Sequence, residues 1–220
     1  MASHPYVAFF DLDRTLIPAD SSTLLIKDAY RRGIIKNKKL LIGYVFAILY
    51  KLRLVKTLTI ITRLATWLDG LSEKMVRDMA ADIFQSQLKD LILPIARKEI
   101  ELHRSKGAYL VLASSSMNYF CELFAAELNL DHIICSRMEV KNGILTGNPR
   151  GELCFEKYKM IPMVDFCKNN NYKVQESCFY SDSIDDLPAL AAVGKPICIT
   201  PDKHLEKMAK SKGWEIRLWN

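Results

Sequence analysis

The sequence predicts an α/β protein with a parallel β-sheet flanked by helices, into which an all-helical segment is inserted. Short apolar runs rich in Val, Ile, Phe and Tyr, bounded by Gly, Pro, Asp or Ser, occupy residues 6–10, 109–113, 177–181 and 196–200. Such runs are typical of buried parallel strands, and the helical patterns between them complete an α/β alternation. Residues 20–93 contain no such run. We therefore predict an α/β core of residues 1–19 and 94–220 and a helical domain of residues 20–93.

The length and composition are those of a globular protein with one or two domains, since the chain has 220 residues of which 50% are hydrophobic. The six cysteines are scattered without a CxxC or CxxH pairing, and the four histidines have no metal-ligand spacing. Neither a zinc site nor a disulfide framework is predicted. The first residues lack a basic region followed by an apolar stretch, which argues against a signal peptide and favours a cytoplasmic protein.

Local patterns place further elements along the chain. Apolar residues recur at helical spacing at positions 119, 120, 123, 124 and 128, and again at 160, 163, 164 and 167. Asn142 and Gly143 lie between two apolar pairs, the usual signal of a β-hairpin. Gly70 and Ser72, followed by Glu73, predict a break and a new helix start inside the inserted segment.

The net charge of +6 is unevenly distributed. Residues 27–63 contain ten Lys or Arg against one acid, Asp28, which gives +9 there and −3 elsewhere. Such a field favours a phosphorylated substrate, an anionic membrane surface or nucleic acid. Residues 40–50 are uncharged and too few to span a bilayer, which needs about 20 residues. They predict a buried bundle helix or, alternatively, a helix lying in the membrane interface.

Two acidic side chains, Asp11 and Asp13, directly follow the first predicted strand. Residues two apart in a strand point to the same side, so both carboxylates can face the crevice at its carboxyl end. One carboxylate can attack phosphorus while the other protonates the leaving oxygen. The alternative is that the segment only opens a loop and caps the next helix.

Two further polar segments follow predicted strands. Asp182, Asp185 and Asp186 form an oxygen-rich cluster that suits Mg²⁺ and is equally compatible with helix capping. Residues 114–116 are three serines that precede a predicted helix. Hydroxyl and backbone N–H groups at a helix N-terminus can bind a phosphoryl group, although serines there also serve as ordinary N-caps.

Taken together, these segments resemble the haloacid dehalogenase (HAD) superfamily, and within it the subfamily IB hydrolases that include phosphoserine phosphatase-like enzymes. The resemblance covers nearly the whole chain. The first motif, DxDx[TV], is matched by Asp11, Asp13 and Thr15, the second by Ser114, and the fourth, [GS]DSxxD, by Asp182 and Asp186. Lys159 stands 23 positions before Asp182, the usual separation of the third-motif lysine in this subfamily. The implied fold is a Rossmann-like core with an inserted helical cap of the C1 type.

The resemblance also implies the role of each matched residue. Asp11 is the expected nucleophile and Asp13 the general acid and base. The expected ligands of Mg²⁺ are Asp11, the backbone carbonyl of Asp13, and Asp182. The phosphoryl oxygens are expected to contact Thr15, Ser114, Ser115 and Lys159, while Asp186 orients the lysine or a metal-bound water. Asp185 is a further candidate to assist.

Two assignments keep an alternative. Lys157 takes the third-motif role if the alignment shifts by two residues, although the spacing favours Lys159. Asp20, nine positions after Asp11, stands where a phosphoserine phosphatase carries a carboxylate for the substrate's amine, and it also makes a good N-cap. In the predicted cap, Arg63 is a candidate ligand for a substrate carboxylate or phosphate, and otherwise a surface cation.

The expected function is that of a Mg²⁺-dependent phosphatase for a small phosphorylated metabolite, such as phosphoserine or a related amino-alcohol phosphate. The alternative is a lipid phosphatase of the phosphatidylglycerophosphate type, which the basic and apolar cap favours through contact with an anionic membrane surface. A non-catalytic nucleic-acid-binding module is a remote alternative, because the basic segment lacks interleaved exposed aromatic residues. No nucleic acid partner is therefore expected.

Overall fold

The computed structural model describes residues 5–35 and 66–219, which contain eight strands and seven α-helices. The strands are β1 (Val7–Phe10), β2 (Tyr109–Met117), β3 (His132–Ser136), β4 (Met138–Lys141), β5 (Ile144–Pro149), β6 (Cys178–Ser181), β7 (Lys195–Ile199) and β8 (Glu215–Arg217). The helices are α1 (Ser21–Arg31), α2 (Glu73–Ile83), α3 (Pro94–Ser105), α4 (Asn118–Glu127), α5 (Lys157–Asn169), α6 (Leu187–Ala192) and α7 (Lys203–Lys212).

Six strands form a parallel sheet in the order β3-β2-β1-β6-β7-β8, and β4 and β5 form a separate antiparallel hairpin. From β1 the chain builds the sheet to one side through β2 and β3, and then to the other side from β6. In parallel sheets the crevice at such a reversal of strand order is where ligands bind, at the carboxyl ends of the strands. The residue after β1 therefore lies at this crevice, between β2 and β6.

The sheet is buried on both faces, because successive side chains of each strand point to opposite sides. Phe10 belongs to a core cluster with residues of α1, α2, α3 and α4, whereas Phe9 belongs to a second cluster with residues of α5, α6 and α7. Both phenylalanines are fully buried. The result is a three-layer α/β/α arrangement, which confirms the predicted fold class.

The two ends of the predicted helical segment, residues 20–93, lie near each other, since the backbone N–H of Leu93 donates to the carbonyl of Leu16 at 3.0 Å. The predicted helix start is confirmed, because α2 begins at Glu73. The predicted hairpin is also confirmed, and its Leu145 exchanges backbone hydrogen bonds with Gly70 and Leu71 at 2.9 and 2.8 Å. The division into core and cap stays a prediction.

The apolar stretch of residues 40–50 and Arg63 lie outside the described residues. Within the described ranges, no helix combines the length and apolarity that a bilayer crossing requires.

Two strands of the sheet, β3 and β8, were not predicted from the sequence. Both are edge strands, and β8 is only three residues long, with charged Glu215 and Arg217 at its ends. The three-residue, partly solvated β8 has no continuous apolar run, so the pattern that reveals the central strands is missing from it. In β3 such a run exists, at positions 133–135, but it is only three residues long and was missed.

A buried polar network joins β6 to helix α3 and to the residue before β1. The Tyr180 hydroxyl donates to Glu99 at 2.6 Å and contacts Nε2 of His103 at 2.7 Å, while the Tyr6 hydroxyl contacts Nδ1 of His103 at 2.8 Å. Burial lowers the pKa of His103 to about 4, so the imidazole is neutral at pH 7. The carbonyl of Tyr180 accepts the backbone N–H of Asp11 at 2.9 Å. The network therefore holds Tyr180 of β6 in place, and Tyr180 in turn binds the backbone of Asp11, the residue after β1.

Replacing Tyr180 with Phe removes the hydroxyl that joins Glu99 to His103. We expect the free energy of unfolding to fall by about 1–3 kcal/mol, because a buried polar group loses its partner. Tyr172→Phe is the matched control, since no hydrogen bond of the Tyr172 hydroxyl is seen within residues 5–35 and 66–219, and it should change stability by less than about 0.5 kcal/mol. Urea unfolding measures both, and equal effects would contradict the role of the network.

Candidate active site

A buried lysine joins two of the carboxylates at the crevice. Nζ of Lys159, on the first turn of α5, lies 3.0 Å from Oδ1 of Asp11 and 2.7 Å from Oδ1 of Asp186. The Ser181 hydroxyl donates to Asp186 at 2.6 Å. Burial disfavours the ammonium, but the two carboxylates outweigh it and raise the pKa of Lys159 above its ordinary value. The lysine is therefore a permanent cation inside the site.

The neighbouring Lys157 does not reach this cluster. Its side chain is exposed, and its Nζ lies 4.9 Å from the centre of the Tyr158 ring. Successive residues two apart on a helix point in different directions, so only one of the two lysines can face the sheet. In this structure that lysine is Lys159.

The second carboxylate, Asp13, is held by two serines rather than by a cation. Its Oδ2 accepts the hydroxyls of Ser116 at 2.6 Å and Ser21 at 2.9 Å, and its Oδ1 accepts the backbone N–H of Ser21 at 3.1 Å. Burial raises the pKa of Asp13 to about 7, with a further rise from the charge of Asp20, while the hydrogen bonds from the serines oppose it. Asp13 thus changes protonation state near neutral pH.

Ser21 and Ser116 were not among the predicted site residues. Ser116 stands in the serine run that the sequence points out, but nothing in the sequence distinguishes it from Ser114 and Ser115. Ser21 begins α1, where a serine is expected for reasons of helix structure alone. Their contact with Asp13 arises only when the carboxyl ends of β1 and β2 meet.

Asp182 lies at the end of β6 with little exposure to solvent, at 8%. The Thr15 hydroxyl donates to its Oδ1 at 3.4 Å. Burial raises the pKa of Asp182 to about 8, and the charges of Asp11 and Asp186 raise it further. Burial likewise raises the pKa of Asp11 to about 6, although Lys159 opposes that shift. Asp11 and Asp182 therefore repel each other in a site where Lys159 is already shared with Asp186.

This arrangement fits Mg²⁺. The described residues hold no group of three His, Cys, Asp or Glu side chains placed to bind a metal together. Mg²⁺ does not need one, since it commonly binds through one or two carboxylates and keeps several waters. Burial is the main cause of the raised pKa values of Asp11 and Asp182, and the charge of Asp11 adds to that of Asp182. A divalent cation bound by both carboxylates would favour their ionised forms. The predicted third ligand, the carbonyl of Asp13, belongs to the same turn as Asp11.

The predicted phosphate-binding serines differ in their environment. Ser114 is buried at the end of β2, and its hydroxyl accepts the backbone N–H of Ser116 at 3.3 Å. Ser115, by contrast, is exposed. Helix α4 begins directly after them, and its N-cap residue Met117 makes no side-chain capping hydrogen bond. The first N–H groups of α4 therefore remain available to an anion.

Asp20 caps α1, because its Oδ1 accepts the backbone N–H of Thr23 at 2.8 Å. Its Oδ2 lies 3.6 Å from the Arg14 guanidinium, and its side chain is 37% exposed. Capping thus occupies one oxygen of Asp20, and the other lies near the exposed Arg14 guanidinium.

Comparison with known sequences identifies the family of this chain. A sequence model described as haloacid dehalogenase-like hydrolase matches residues 8–191, which include every carboxylate of the crevice and Lys159. The chain belongs to this family. HAD-family membership and the phosphatase names of its relatives identify it as a phosphoric monoester hydrolase.

Two relatives illustrate the range of similarity. A probable phosphatase of Mycobacterium tuberculosis is 28% identical over 213 residues, which cover 95% of this chain and 74% of that protein. A histidinol-phosphatase of Neisseria meningitidis is 27% identical over 225 residues, covering 96% of this chain and 97% of that protein.

Solved structures share the fold of this HAD hydrolase. A protein of unknown function from Bordetella pertussis has a TM-score of 0.87 at 22% identity and covers 96% of this chain and 97% of that chain. A substrate-bound phosphoserine phosphatase has a TM-score of 0.71 at 16% identity, with 92% of this chain and 89% of that chain covered.

Replacing Lys159 with Met removes the only cation in contact with Asp11 within residues 5–35 and 66–219. We expect the free energy of unfolding in metal-free buffer to fall by about 3–5 kcal/mol, because two buried carboxylates lose their partner. Lys157→Met makes the same chemical change on the exposed face of α5 and should cost less than about 0.5 kcal/mol. Urea unfolding compares the two variants, and a larger loss from Lys157→Met would refute the assignment of the buried cation.

Proposed function

We propose that this HAD hydrolase is a Mg²⁺-dependent phosphatase of small phosphomonoesters that works through an aspartyl-phosphate on Asp11. The observation that carries the proposal is the contrast between two carboxylates two residues apart. Asp11 is paired with a permanent cation, whereas Asp13 is surrounded by hydroxyls and has its pKa raised to about 7. Two carboxyl groups in such different environments suit a nucleophile and a general acid.

In the first step a carboxylate oxygen of Asp11 attacks phosphorus, and the bond between phosphorus and the leaving oxygen breaks. Protonated Asp13 gives its proton to that oxygen, so the alcohol leaves neutral. Lys159 and Ser114 donate hydrogen bonds to the phosphoryl oxygens as negative charge moves onto them. When bound by Asp11, Asp182 and the Asp13 carbonyl, Mg²⁺ supplies further positive charge to the phosphoryl group.

In the second step Asp13 takes a proton from a water molecule, and the water oxygen attacks phosphorus. The bond between phosphorus and Asp11 breaks, which releases inorganic phosphate and restores protonated Asp13. The serine hydroxyls of Ser21 and Ser116 hold the Asp13 carboxyl in place for both proton transfers.

For the substrate we propose phosphoserine or a related amino-alcohol phosphate. The partly exposed carboxylate of Asp20 is near enough to Asp13 for its charge to raise the pKa of Asp13. Its Oδ2, which lies 3.6 Å from the exposed Arg14, can exchange that contact for an ammonium group of the leaving alcohol. The relative from Neisseria meningitidis is named histidinol-phosphatase, and histidinol is itself an amino alcohol. The lipid phosphate alternative depends mainly on residues 36–65, which lie outside the described ranges.

Replacing Asp11 with Asn should abolish hydrolysis of p-nitrophenyl phosphate, lowering kcat by about 1000-fold or more, because the amide cannot form the acyl phosphate. Excess chelator should have a similar effect on the wild-type protein. Asp165→Asn, an exposed change on α5, is the control and should leave kcat within about twofold. Full activity of Asp11→Asn in a colorimetric assay would disprove the proposal.

Mg²⁺ should stabilise the protein more at about pH 8 than at about pH 5.5. The pKa values of Asp11, Asp13 and Asp182 are raised in the folded state, so the folded protein binds more protons than the unfolded chain. Their contribution to stability is greatest below about pH 4 and is lost as the pH rises through about 6 to 8. Binding of Mg²⁺ requires ionised Asp11 and Asp182, and it therefore increases over the same range.

The thermal unfolding midpoint, measured with and without Mg²⁺ at both pH values, tests this expectation. The difference produced by Mg²⁺ is compared at each pH, so other titrating groups cancel. Asp182→Asn should reduce the Mg²⁺-dependent shift in Tm at the higher pH. A shift that is larger at the acidic pH would argue against a metal site formed by these carboxylates.

A further inference from the structure

Cys135 differs from the other five cysteines of the chain. All six lie within the described residues as free thiols, and Cys135 is partly exposed whereas the others are buried. Its position on β3, an edge strand of the sheet, accounts for this exposure. Because oxidants react first with accessible thiols, Cys135 is the cysteine that a small oxidant in solution reaches.

The Cys121 side chain contacts Cys135 from the first turn of α4. Cys121 is fully buried in the core cluster on the α4 face of the sheet, and Cys135 packs against the same cluster. A hydrogen bond joins the two side chains, with the Cys121 thiol as donor. Cys154, by contrast, belongs to the core cluster on the other face. Two thiols in contact on one face can form a disulfide with little movement of the backbone.

The same neighbours favour the thiolate of Cys135. The hydrogen bond from Cys121 lowers the pKa of Cys135 against the opposing effect of burial, and the charge of Arg137 lowers it further. In the other five cysteines burial raises the pKa of the thiol. The thiolate is the form that attacks a peroxide, so Cys135 combines the accessibility and the charge state of a reactive cysteine.

The two thiols lie next to the serines of the active site. The Cys121 thiol also approaches the Ser116 carbonyl, at 3.6 Å, and the Ser116 hydroxyl donates to Asp13 at 2.6 Å. Cys135 pairs with Ser114 across β2 and β3. A covalent change at the two thiols therefore reaches the carboxyl group of Asp13 through one intervening residue.

We propose that Cys121 and Cys135 form a reversible disulfide when the protein is exposed to a peroxide, and that this disulfide inhibits the phosphatase. In the first step the Cys135 thiolate attacks a peroxide oxygen, the O–O bond breaks, and Cys135 becomes a sulfenic acid. The departing hydroxide takes up a proton and leaves as water.

In the second step the Cys121 sulfur attacks the sulfenic sulfur, and the S–O bond breaks. The hydroxyl group leaves as water with the proton of the Cys121 thiol. In total the two thiols lose two electrons, and one molecule of hydrogen peroxide is reduced to two molecules of water.

Oxidation should act on catalysis through Ser116. The disulfide removes the proton that Cys121 presents to the Ser116 carbonyl, and it draws the first turn of α4 toward β3. Both changes shift the residue whose hydroxyl holds Asp13. Small displacements of catalytic groups lower rates strongly, so we expect kcat to fall by about 10-fold or more. The disulfide itself does not depend on the proposed mechanism, whereas its effect on kcat does.

Peptide mass spectrometry detects the disulfide after the Mg²⁺-loaded protein is treated with hydrogen peroxide and alkylated. No Lys or Arg lies between residues 107 and 136, so trypsin leaves both cysteines in one peptide. Cleavage after Glu122 and Glu127 separates them, and the disulfide then joins two fragments. We expect a link between the fragments that contain Cys121 and Cys135, and its release by dithiothreitol.

Hydrolysis of p-nitrophenyl phosphate is measured before peroxide treatment, after it, and again after dithiothreitol. In the wild-type protein dithiothreitol should restore the lost kcat, because it reduces disulfides whereas methionine sulfoxide needs an enzyme for its repair. Cys121→Ser and Cys135→Ser should each keep kcat within about twofold of its value before treatment, since neither variant can form the disulfide.

Cys167→Ser is the matched control. It removes a thiol on α5, in the core cluster on the other face, and the new hydroxyl can keep the contact with Ser177. This variant should respond to peroxide as the wild-type protein does. The proposal is overturned if no link between Cys121 and Cys135 forms, or if Cys135 links to Cys154 instead. It is equally overturned by a disulfide that leaves kcat unchanged, or by inhibition of Cys135→Ser that dithiothreitol reverses.

Failure of this inference is distinguishable from failure of the proposed function. If no disulfide forms, hydrolysis of the aryl phosphate still depends on Asp11. If hydrolysis does not depend on Asp11, the linked fragments still report the disulfide, because their detection requires no turnover.

Discussion

The buried ion pair between Lys159 and the carboxylates of Asp11 and Asp186 is the interaction on which the rest of the site depends. It joins α5 to the residues that follow β1 and β6, and it holds the carboxylates of Asp11 and Asp186 on one ammonium group. One ammonium cannot neutralise three buried carboxylates, and burial, together with the charges of Asp11 and Asp186, raises the pKa of Asp182 to about 8. The fold thus creates a deficit of positive charge at one place, and that deficit is the physical basis for both a divalent cation and a phosphoryl group binding there.

The same constraint explains why the two neighbouring acids of the first motif differ. Asp11 faces the lysine, whereas Asp13 points to the hydroxyls of Ser21 and Ser116, which can donate to a carboxylate and can also accept from a carboxylic acid. A site built from hydroxyls tolerates both protonation states of Asp13. A site built around a cation, such as that of Asp11, favours only the ionised form.

Much of this molecule could be predicted from the sequence, because its central strands are apolar runs and its acids follow them directly. The β-hairpin was predicted from Asn142 and Gly143, the helix start at Glu73 from Gly70 and Ser72, and the HAD family from the resemblance of the motifs. The edge strands β3 and β8 were not predicted, because β8 alternates charged and apolar residues and the apolar run of β3 is only three residues long. The contact of Ser116 with Asp13 joins residues 103 positions apart. No local pattern encodes such contacts.

The most direct test of the account is to find the phosphoryl group on the protein during turnover. The protein is mixed with Mg²⁺ and a phosphomonoester, quenched rapidly in acid, digested and analysed by peptide mass spectrometry. The account predicts a phosphoryl group on Asp11 that hydroxylamine removes, as expected of an acyl phosphate. A phosphoryl group on a serine or histidine, or steady turnover by a protein in which Asp11 is replaced by Asn, would contradict it.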